Sequence, residues 1–384
     1  MRIALASDTY APQVNGVTTV VRRIAALVDS AGHQAAVVAP WYPTPPPPAI
    51  GTELRLPSLA FPPYPDIRLS LPHARRAARF LDDFGPDVVH IATEGPIGFL
   101  ARSYARRRGI PLVTSFHTQF PQYARHYGAG ALESLVWRWL EWFHRPARLT
   151  HTPGDAVCDE LRRHGISRAV VWGRGVDTTR FHPGKRDRVW RRGLGVEDGQ
   201  VVVLHVGRLA PEKNLDVLFD AWRIAHEALA DRAVFVVAGD GPRGRALEQA
   251  LPWVKRFGFL DPDVLATVYA SCDLCVLPSE TETCGLVALE AMASGLPVIA
   301  ANAGGLRESV RHERNGMLVP PHDAPGFAAR IIESVLDLPR ARHLGAEARR
   351  TALARDLETE NAELLRQYAE LAGANLPRET PCAA

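Results

Sequence analysis

Short apolar runs rich in Val, Ile, Leu and Ala alternate along the chain with longer segments whose apolar positions recur at three- and four-residue spacing. The first pattern suits strands buried on both faces and the second amphipathic helices, so their alternation predicts a doubly wound, mostly parallel sheet. Strands are expected at 2–6, 34–39, 87–91, 111–116, 148–152 and 169–172, with helices at 17–31, 73–84, 96–108, 131–144 and 155–164 between them. The run Pro43–Pro48 cannot be helix or sheet interior and is read as a stiff surface loop.

The alternation breaks in the polar, basic stretch from Thr178 to Asp198 and restarts at Val201. Residues 1–180 are therefore expected to form one α/β domain and 181–355 a second. Residues 356–384 would be a terminal helix, packing back on the first domain, and a tail expected to be disordered from Asn375. The most informative stretch of the second half is Ser279–Glu308. A strand at 273–278, a polar loop, a helix from Gly285 to about Ser294 and a strand at 297–301 make one βαβ unit. The N-terminus of such a helix offers unpaired N–H groups beside the C-terminal edge of the sheet, where phosphates bind, and Gly285 lets backbone come close. Glu282 and Glu290 flank this turn; carboxylates are poor partners for phosphate but good acceptors for sugar hydroxyls. Arg208 and Lys213 follow the strand at 201–206, on the same edge, and make a diphosphate clamp with the helix N-terminus. In the first half, Asp8 and the Asn15-Gly16 turn mark the end of the first strand, and His117 the end of another.

The chain has 384 residues, 46% hydrophobic and 23% charged, an ordinary composition for two or three domains. Residues 1–180 carry a net charge of +7 and the remainder −4, so the first half suits an anionic surface or substrate. Only three of the 45 basic side chains are lysines, which makes Lys213 stand out. Five cysteines (158, 272, 275, 284, 382) and no apolar stretch of membrane-spanning length point to a cytoplasmic protein without structural disulfides. Cys272 and Cys275 match a redox or zinc spacing, yet no second pair accompanies them and they run into an apolar strand, so they are read as buried hydrophobes. Asp261-Pro-Asp263 is read as a helix cap rather than a metal pair, and no metal site is expected. The absence of a phosphate-binding P-loop and of a G-x-G-x-x-G after the first strand removes the signatures of nucleotide hydrolysis and dinucleotide redox chemistry.

Taken together, GRLAPEKN with Arg208 and Lys213, ETCGLVALE from Glu282 to Glu290, GLPVIA, Gly304-Gly305 with Glu308, and Asn315-Gly316 resemble family 4 of the retaining glycosyltransferases. The first-half segments SDTYAPQVNGV and SFHTQFPQY look most like those of bacterial GDP-mannose-dependent α-mannosyltransferases. The resemblance implies a GT-B fold, two Rossmann-like domains facing each other across a cleft, and metal-free transfer of a sugar from a nucleotide sugar. GDP-mannose is the favoured donor, a lipid or glycan the acceptor, and neither a cofactor nor a nucleic acid is involved. A UDP-sugar-dependent glycolipid synthase and a non-catalytic sugar-nucleotide binder are the alternatives. It further implies that Arg208 and Lys213 hold the donor diphosphate, Glu290 the ribose hydroxyls and Glu282 the transferred sugar. Backbone N–H groups near Cys284, Gly285, Leu286 and Val287 would meet the distal phosphate, and His117 would lie against the sugar. Gly16 would lie near the reaction centre, with Asp8, Asn15, Gln119 and Tyr123 toward the acceptor. Gln119 stands where close relatives often have Asp or Asn, and Cys284 where Phe is common.

The segment 131–145 places Leu132, Leu135, Val136, Trp139, Leu140 and Phe143 at helical spacing, as a core-facing helix would. Trp137 and Trp142, with Arg138 and Arg145, widen the aromatic surface beyond one stripe and suggest association with an anionic membrane surface at the inner leaflet.

Overall fold

In the computed structural model the apolar runs become parallel strands. It describes residues 1–373 apart from Val14, Pro62, Pro63, Pro72, 118–132, Arg174 and Thr283, and apart from the side chains of Phe61 and 64–67. Internal contacts divide the chain into two units: Met1–Gly173 with the segment from Asn361, and Arg174–Glu360. The composition break had suggested boundaries after 180 and 355; the contacts change over at 173/174 and again inside the last helix, Leu357–Ala372.

The first unit holds β1 (Arg2–Ala6), β2 (Gln34–Pro40), β3 (Thr52–Leu56), β4 (Ser58–Phe61), β5 (Tyr64–Ser70), β6 (Val88–Ile91), β7 (Leu112–Ser115), β8 (Leu149–Thr152) and β9 (Ala169–Val171). Seven of these form one parallel sheet in the order β3-β2-β1-β6-β7-β8-β9, while β4 and β5 pair as an antiparallel hairpin. The second unit holds β10 (Val201–Val206), β11 (Ala233–Ala238), β12 (Lys255–Arg256), β13 (Leu274–Leu277), β14 (Val298–Ala301) and β15 (Gly316–Val319), parallel in the order β12-β11-β10-β13-β14-β15. β3, the hairpin, β12 and β15 were not anticipated from the hydrophobic pattern.

Burial explains why the central strands read as continuous apolar runs. All six residues of β10 are buried: Val201 and Val203 pack with Leu218 and Trp222 on one face, Val202, Leu204 and Val206 with Leu289 and Met292 on the other. Each fully buried Val or Leu is worth about 1.5–3 kcal/mol, so a polar side chain on either face is costly unless it finds a hydrogen-bond partner. In the first sheet Ile3 and Leu5 share a cluster with Leu364 and Tyr368, which places the last helix over that face. Strand order reverses between β1 and β6 and between β10 and β13, and loops leaving the C-terminal ends of strands at such switch points form ligand crevices.

The tryptophan-rich helix spans Glu133–His144. Trp137, expected on the exposed side, is instead buried and stacks on His164 with ring centroids 3.8 Å apart, whereas Leu135, expected in the core stripe, is exposed. Among the described residues, no helix is long and apolar enough to cross a membrane. The tail from Asn375, expected to be disordered, lies outside the described residues.

Candidate active site

The loop after β10 and the loop after β13 meet at the switch point of the second sheet. Lys213 Nζ donates to Glu282 Oε1, and both side chains are about four-fifths covered, at 21% and 20% exposure. Thr281 Oγ1 donates to the Glu212 carbonyl at 3.1 Å and Asn214 Nδ2 to Glu280 Oε1 at 2.5 Å, so the two loops are fastened at three points. Arg208 reaches back to Glu212 while remaining 68% exposed, free to turn toward an anion. Against the burial that would raise it, the Arg208 guanidinium pulls the Glu212 carboxyl below its ordinary value.

Gly285 caps the helix Leu286–Ala293 with φ +65° and no side-chain hydrogen bond, and the N–H groups of Leu286 and Val287 have no acceptor among the described residues. Those donors and the positive end of the helix suit an anion. One turn in, Glu290 Oε2 accepts from the Tyr269 hydroxyl at 3.1 Å. Burial pushes its carboxyl up to about 7, with the Tyr269 hydroxyl and the Arg180 charge pulling the other way. Gly304 braces the assembly from behind: at φ +51° its position for a Cβ lies 2.6 Å from the Glu282 carbonyl oxygen and 2.8 Å from that of Glu280, and Gly305 N donates to the Glu282 carbonyl at 2.6 Å. Cys284 is half-buried in the same turn and outside any disulfide.

In the first unit Asp8 follows β1 and serves a structural purpose. Its Oδ1 accepts from Ile97 N at 2.8 Å and its Oδ2 from Thr93 Oγ1 at 2.8 Å, capping the helix Pro96–Arg108, whose own cap residue Gly95 has no side chain to offer. Burial pushes the Asp8 carboxyl up against these donors, which pull it down. Asn15 caps the helix Gly16–Ser30 by accepting from Thr18 N at 2.9 Å and donates to Thr9 Oγ1 at 2.7 Å. Among the described residues nothing packs against the missing Cβ of Gly16, and its φ is not positive, so neither their packing nor the backbone conformation calls for glycine there. His117 lies just beyond β7; its Nε2 is buried without a hydrogen-bond partner among the described residues, and burial, His151 and Arg23 push the imidazole down to about 4, leaving it neutral. Gln119 and Tyr123 lie outside the described residues.

Comparison with known proteins assigns the family. Residues 14–180 match the model described as Glycosyltransferase Family 4, and residues 200–337 match the model described as Glycosyl transferases group 1. The chain is 38% identical over 379 residues to a GDP-mannose-dependent alpha-mannosyltransferase of Mycolicibacterium smegmatis, covering 97% of this chain and 98% of that one. The chain belongs to the family 4 glycosyltransferases. This glycosyltransferase is also 34% identical over 301 residues to a sulfoquinovosyl transferase of Arabidopsis thaliana, covering 76% of this chain and 58% of that one. Its structure matches that of a sucrose-phosphate synthase from Thermosynechococcus elongatus with a TM-score of 0.77 at 21% identity, over 97% of this chain and 100% of that one. That likeness shows a GT-B fold.

Several polar groups near the glycosyltransferase's strand ends carried no signal in the sequence reading. His205, inside β10, donates from Nδ1 to the Val276 carbonyl at 2.9 Å, tying β10 to β13; its Nε2 is buried without a partner among the described residues, and burial pushes the ring down to about 4. Tyr269, the partner of Glu290, comes from a helix 21 residues upstream. A polar residue interrupting an otherwise apolar buried strand, as in VVVLHV, is the signal that could have marked His205. Cys272 and Cys275 are buried with their thiols pushed up by burial, as hydrophobes would be. Asp261 caps the helix Pro262–Ser271, its Oδ1 accepting from Asp263 N at 3.0 Å. Asn315 also has a structural place, its side chain joining Arg311 N, the Ser309 carbonyl and Thr351.

Proposed function

We propose that this glycosyltransferase moves mannose from GDP-mannose to a hydroxyl of a lipid or glycan acceptor, retaining the α configuration. The observation that carries the reading is the grouping of Lys213, Glu282 and Glu290 around an open helix N-terminus at the switch point of the second sheet. Cation and N–H groups suit a diphosphate; the two carboxylates suit hydroxyls of ribose and sugar. The choice of GDP-mannose draws on the similarity over nearly the whole chain to a GDP-mannose-dependent mannosyltransferase. Similarity to a sulfoquinovosyl transferase favours, as the second reading, a UDP-sugar-dependent glycolipid synthase of glucosyl or sulfoquinovosyl type.

As the bond between sugar and diphosphate lengthens, negative charge grows on the phosphate oxygens and positive charge on the sugar. Arg208, Lys213 and the N–H groups of Leu286 and Val287 stabilise the former in place, and fixed dipoles do this without reorganising. Glu282 orients the sugar hydroxyls. The leaving phosphate oxygen takes the acceptor proton on the same face, so no protein nucleophile and no metal ion take part. In this reading His117 lies against the transferred sugar and Gly16 near the reaction centre, with Asn15, Gln119 and Tyr123 toward the acceptor and Asp8 holding the surrounding backbone. Cysteines outside any disulfide among the described residues suit the reducing cytoplasm, and a lipid acceptor would place the work at the inner face of the membrane.

Thermal-shift titration with GDP, UDP and ADP, then with their sugars, tests the donor. Stabilisation by GDP and GDP-mannose above the others is expected; preference for UDP moves the assignment to the second reading. Donor binding without release of free or transferred sugar under any condition leaves only a sugar-nucleotide binder.

A further inference from the structure

Four polar side chains of the first sheet lie on one face. Strand register places Leu5 beside His90, His90 beside Val113 and Ser115 beside His151, and alternation along β7 carries the same face on to His117. The last helix covers this face. His90 Nε2 meets Ser115 Oγ at 2.7 Å and its Nδ1 meets the Tyr368 hydroxyl at 2.5 Å, while the His90 and His151 rings stand edge to face at 5.3 Å.

A second chain of bonds from the same helix has only one possible polarity. The Glu363 carboxylate is held ionised by Arg366, at 2.6 Å and 2.8 Å, and can only accept. Gln367 therefore turns its Nε2 to Glu363 Oε1 at 2.8 Å, which leaves Gln367 Oε1 facing His151 Nε2 at 2.8 Å. A carbonyl oxygen accepts, so His151 carries its proton on Nε2 and its Nδ1 is a bare lone pair. Among the described residues that Nδ1 is buried without a hydrogen-bond partner, as is Nε2 of His117.

We propose that the last helix positions His117 for catalysis: the Glu363–Gln367–His151 relay locks His151 as a neutral Nε2–H tautomer, so that His117 meets the substrate as an uncharged imidazole beside a fixed acceptor. Glu363 and Gln367 face His151 from the last helix, His90 from β6, His117 from the end of β7 and Trp172 from the end of β9, with Arg23 over the Trp172 ring at 5.0 Å. Burial pushes both His151 and His117 down to about 4, which agrees with two uncharged rings. A proton on His151 would set a cation against His117 and disfavour the oxocarbenium-like sugar. In this arrangement His151 and Gln367 are positioning residues. The inference rests on the glycosyl-transfer reading for what His117 touches, and on the bond polarity alone for the tautomer.

The test uses the full chain with ¹⁵N-labelled histidine. Long-range proton–nitrogen correlation spectra are expected to show His151 protonated at Nε2 and bare at Nδ1, and neutral at pH 5.5. Gln367→Glu, nearly isosteric, places a carboxylate against His151 Nε2 and raises its pKa. The acid limb of kcat against pH should then move up by about one pH unit, with the KM for donor unchanged. Gln367→Met, whose thioether is only a weak acceptor, should lower kcat without moving that limb, and melting curves check that both variants fold. An Nδ1–H tautomer in the wild type overturns the proposal. So does an acid limb that stays in place when the His151 titration moves. Absence of turnover with every nucleotide sugar would sink the glycosyl-transfer reading instead, and the tautomer measurement would still decide the relay.

Discussion

Lys213, at the end of the loop leaving β10, donates from Nζ to Glu282, in the loop leaving β13 and 69 residues further along the chain. The pair closes the switch point of the second sheet from both sides. An ammonium has three donors, so Lys213 can keep Glu282 and still meet phosphate oxygens. Lys213→Ala is expected to weaken nucleoside diphosphate binding by about tenfold or more, on the order of 1.5–3 kcal/mol, and Arg208→Ala by less because Arg208 is mostly exposed. Isothermal titration with GDP and UDP measures both; wild-type affinity in Lys213→Ala would remove the diphosphate assignment.

Glu290 makes donor binding depend on pH. With its carboxyl pushed up to about 7 by burial, the free protein at pH 6 is mainly protonated there. Ribose hydroxyls donate to a carboxylate, so binding favours the ionised form and nucleotide affinity should rise from pH 6 to pH 8. Glu290→Gln should abolish the slope. Stability moves the other way. A carboxyl whose folded value lies above its unfolded one costs nothing below about pH 4.5, and its cost is complete above pH 7, up to about 3 kcal/mol. Glu290→Gln should therefore raise the melting temperature at pH 8 and leave it unchanged at pH 4.5. An equal shift at both pH values would mean that the carboxyl titrates normally.

Gly304 should be hard to replace behind the site. Alanine there would have φ +51° and a Cβ 2.6 Å from a backbone oxygen of Glu282, so the loop carrying Glu282 must shift. Left-handed backbone alone costs an alanine about 1–2 kcal/mol. Gly304→Ala is expected to lower both the melting temperature and donor affinity while Lys213 and Glu290 remain in place. A stability loss with unchanged affinity would show that the brace is not needed for the site.

How much of this was legible depended on whether a residue's partner left a trace in the local pattern. β10 and β13 are buried on both faces and stood out as apolar runs; β3 alternates Thr-Glu-Leu-Arg-Leu after a proline-rich stretch, and its pairing with β2 supplies the order that its sequence lacks. Glu282 and Glu290 were singled out because they flank a strand–helix turn, but Tyr269 was not, since nothing local points a helix residue at a carboxylate 21 positions later. Asp8 was placed correctly at a strand end, yet its use as the cap for Pro96–Arg108 follows from a helix starting at glycine 87 residues away. The relay to His151 was out of reach altogether, because Gln367 meets it across 216 residues.

The helix Glu133–His144 is the proposed contact with a membrane surface, and its burial leaves few residues available for one. Trp137, Leu140 and Phe143 are buried, and Trp142 is partly covered by the Arg102 guanidinium, 3.9 Å from its ring centroid. Besides Ser134, what stays exposed is Leu135, Arg138, Trp142 and, just past the helix, Arg145, the last four spaced so that they share one stripe. Two apolar and two basic side chains on one stripe suit the boundary of an anionic bilayer, and the +7 charge of residues 1–180 adds long-range attraction that salt screens. Co-sedimentation with vesicles containing anionic lipid should therefore be strong at low salt and weak at high salt, and absent with neutral vesicles. Trp142→Ala together with Arg138→Ala should reduce binding several-fold while leaving nucleotide affinity unchanged. Equal binding by this double variant would move the contact to another basic face, and no sedimentation of the wild type at low salt would make a soluble glycan the better acceptor.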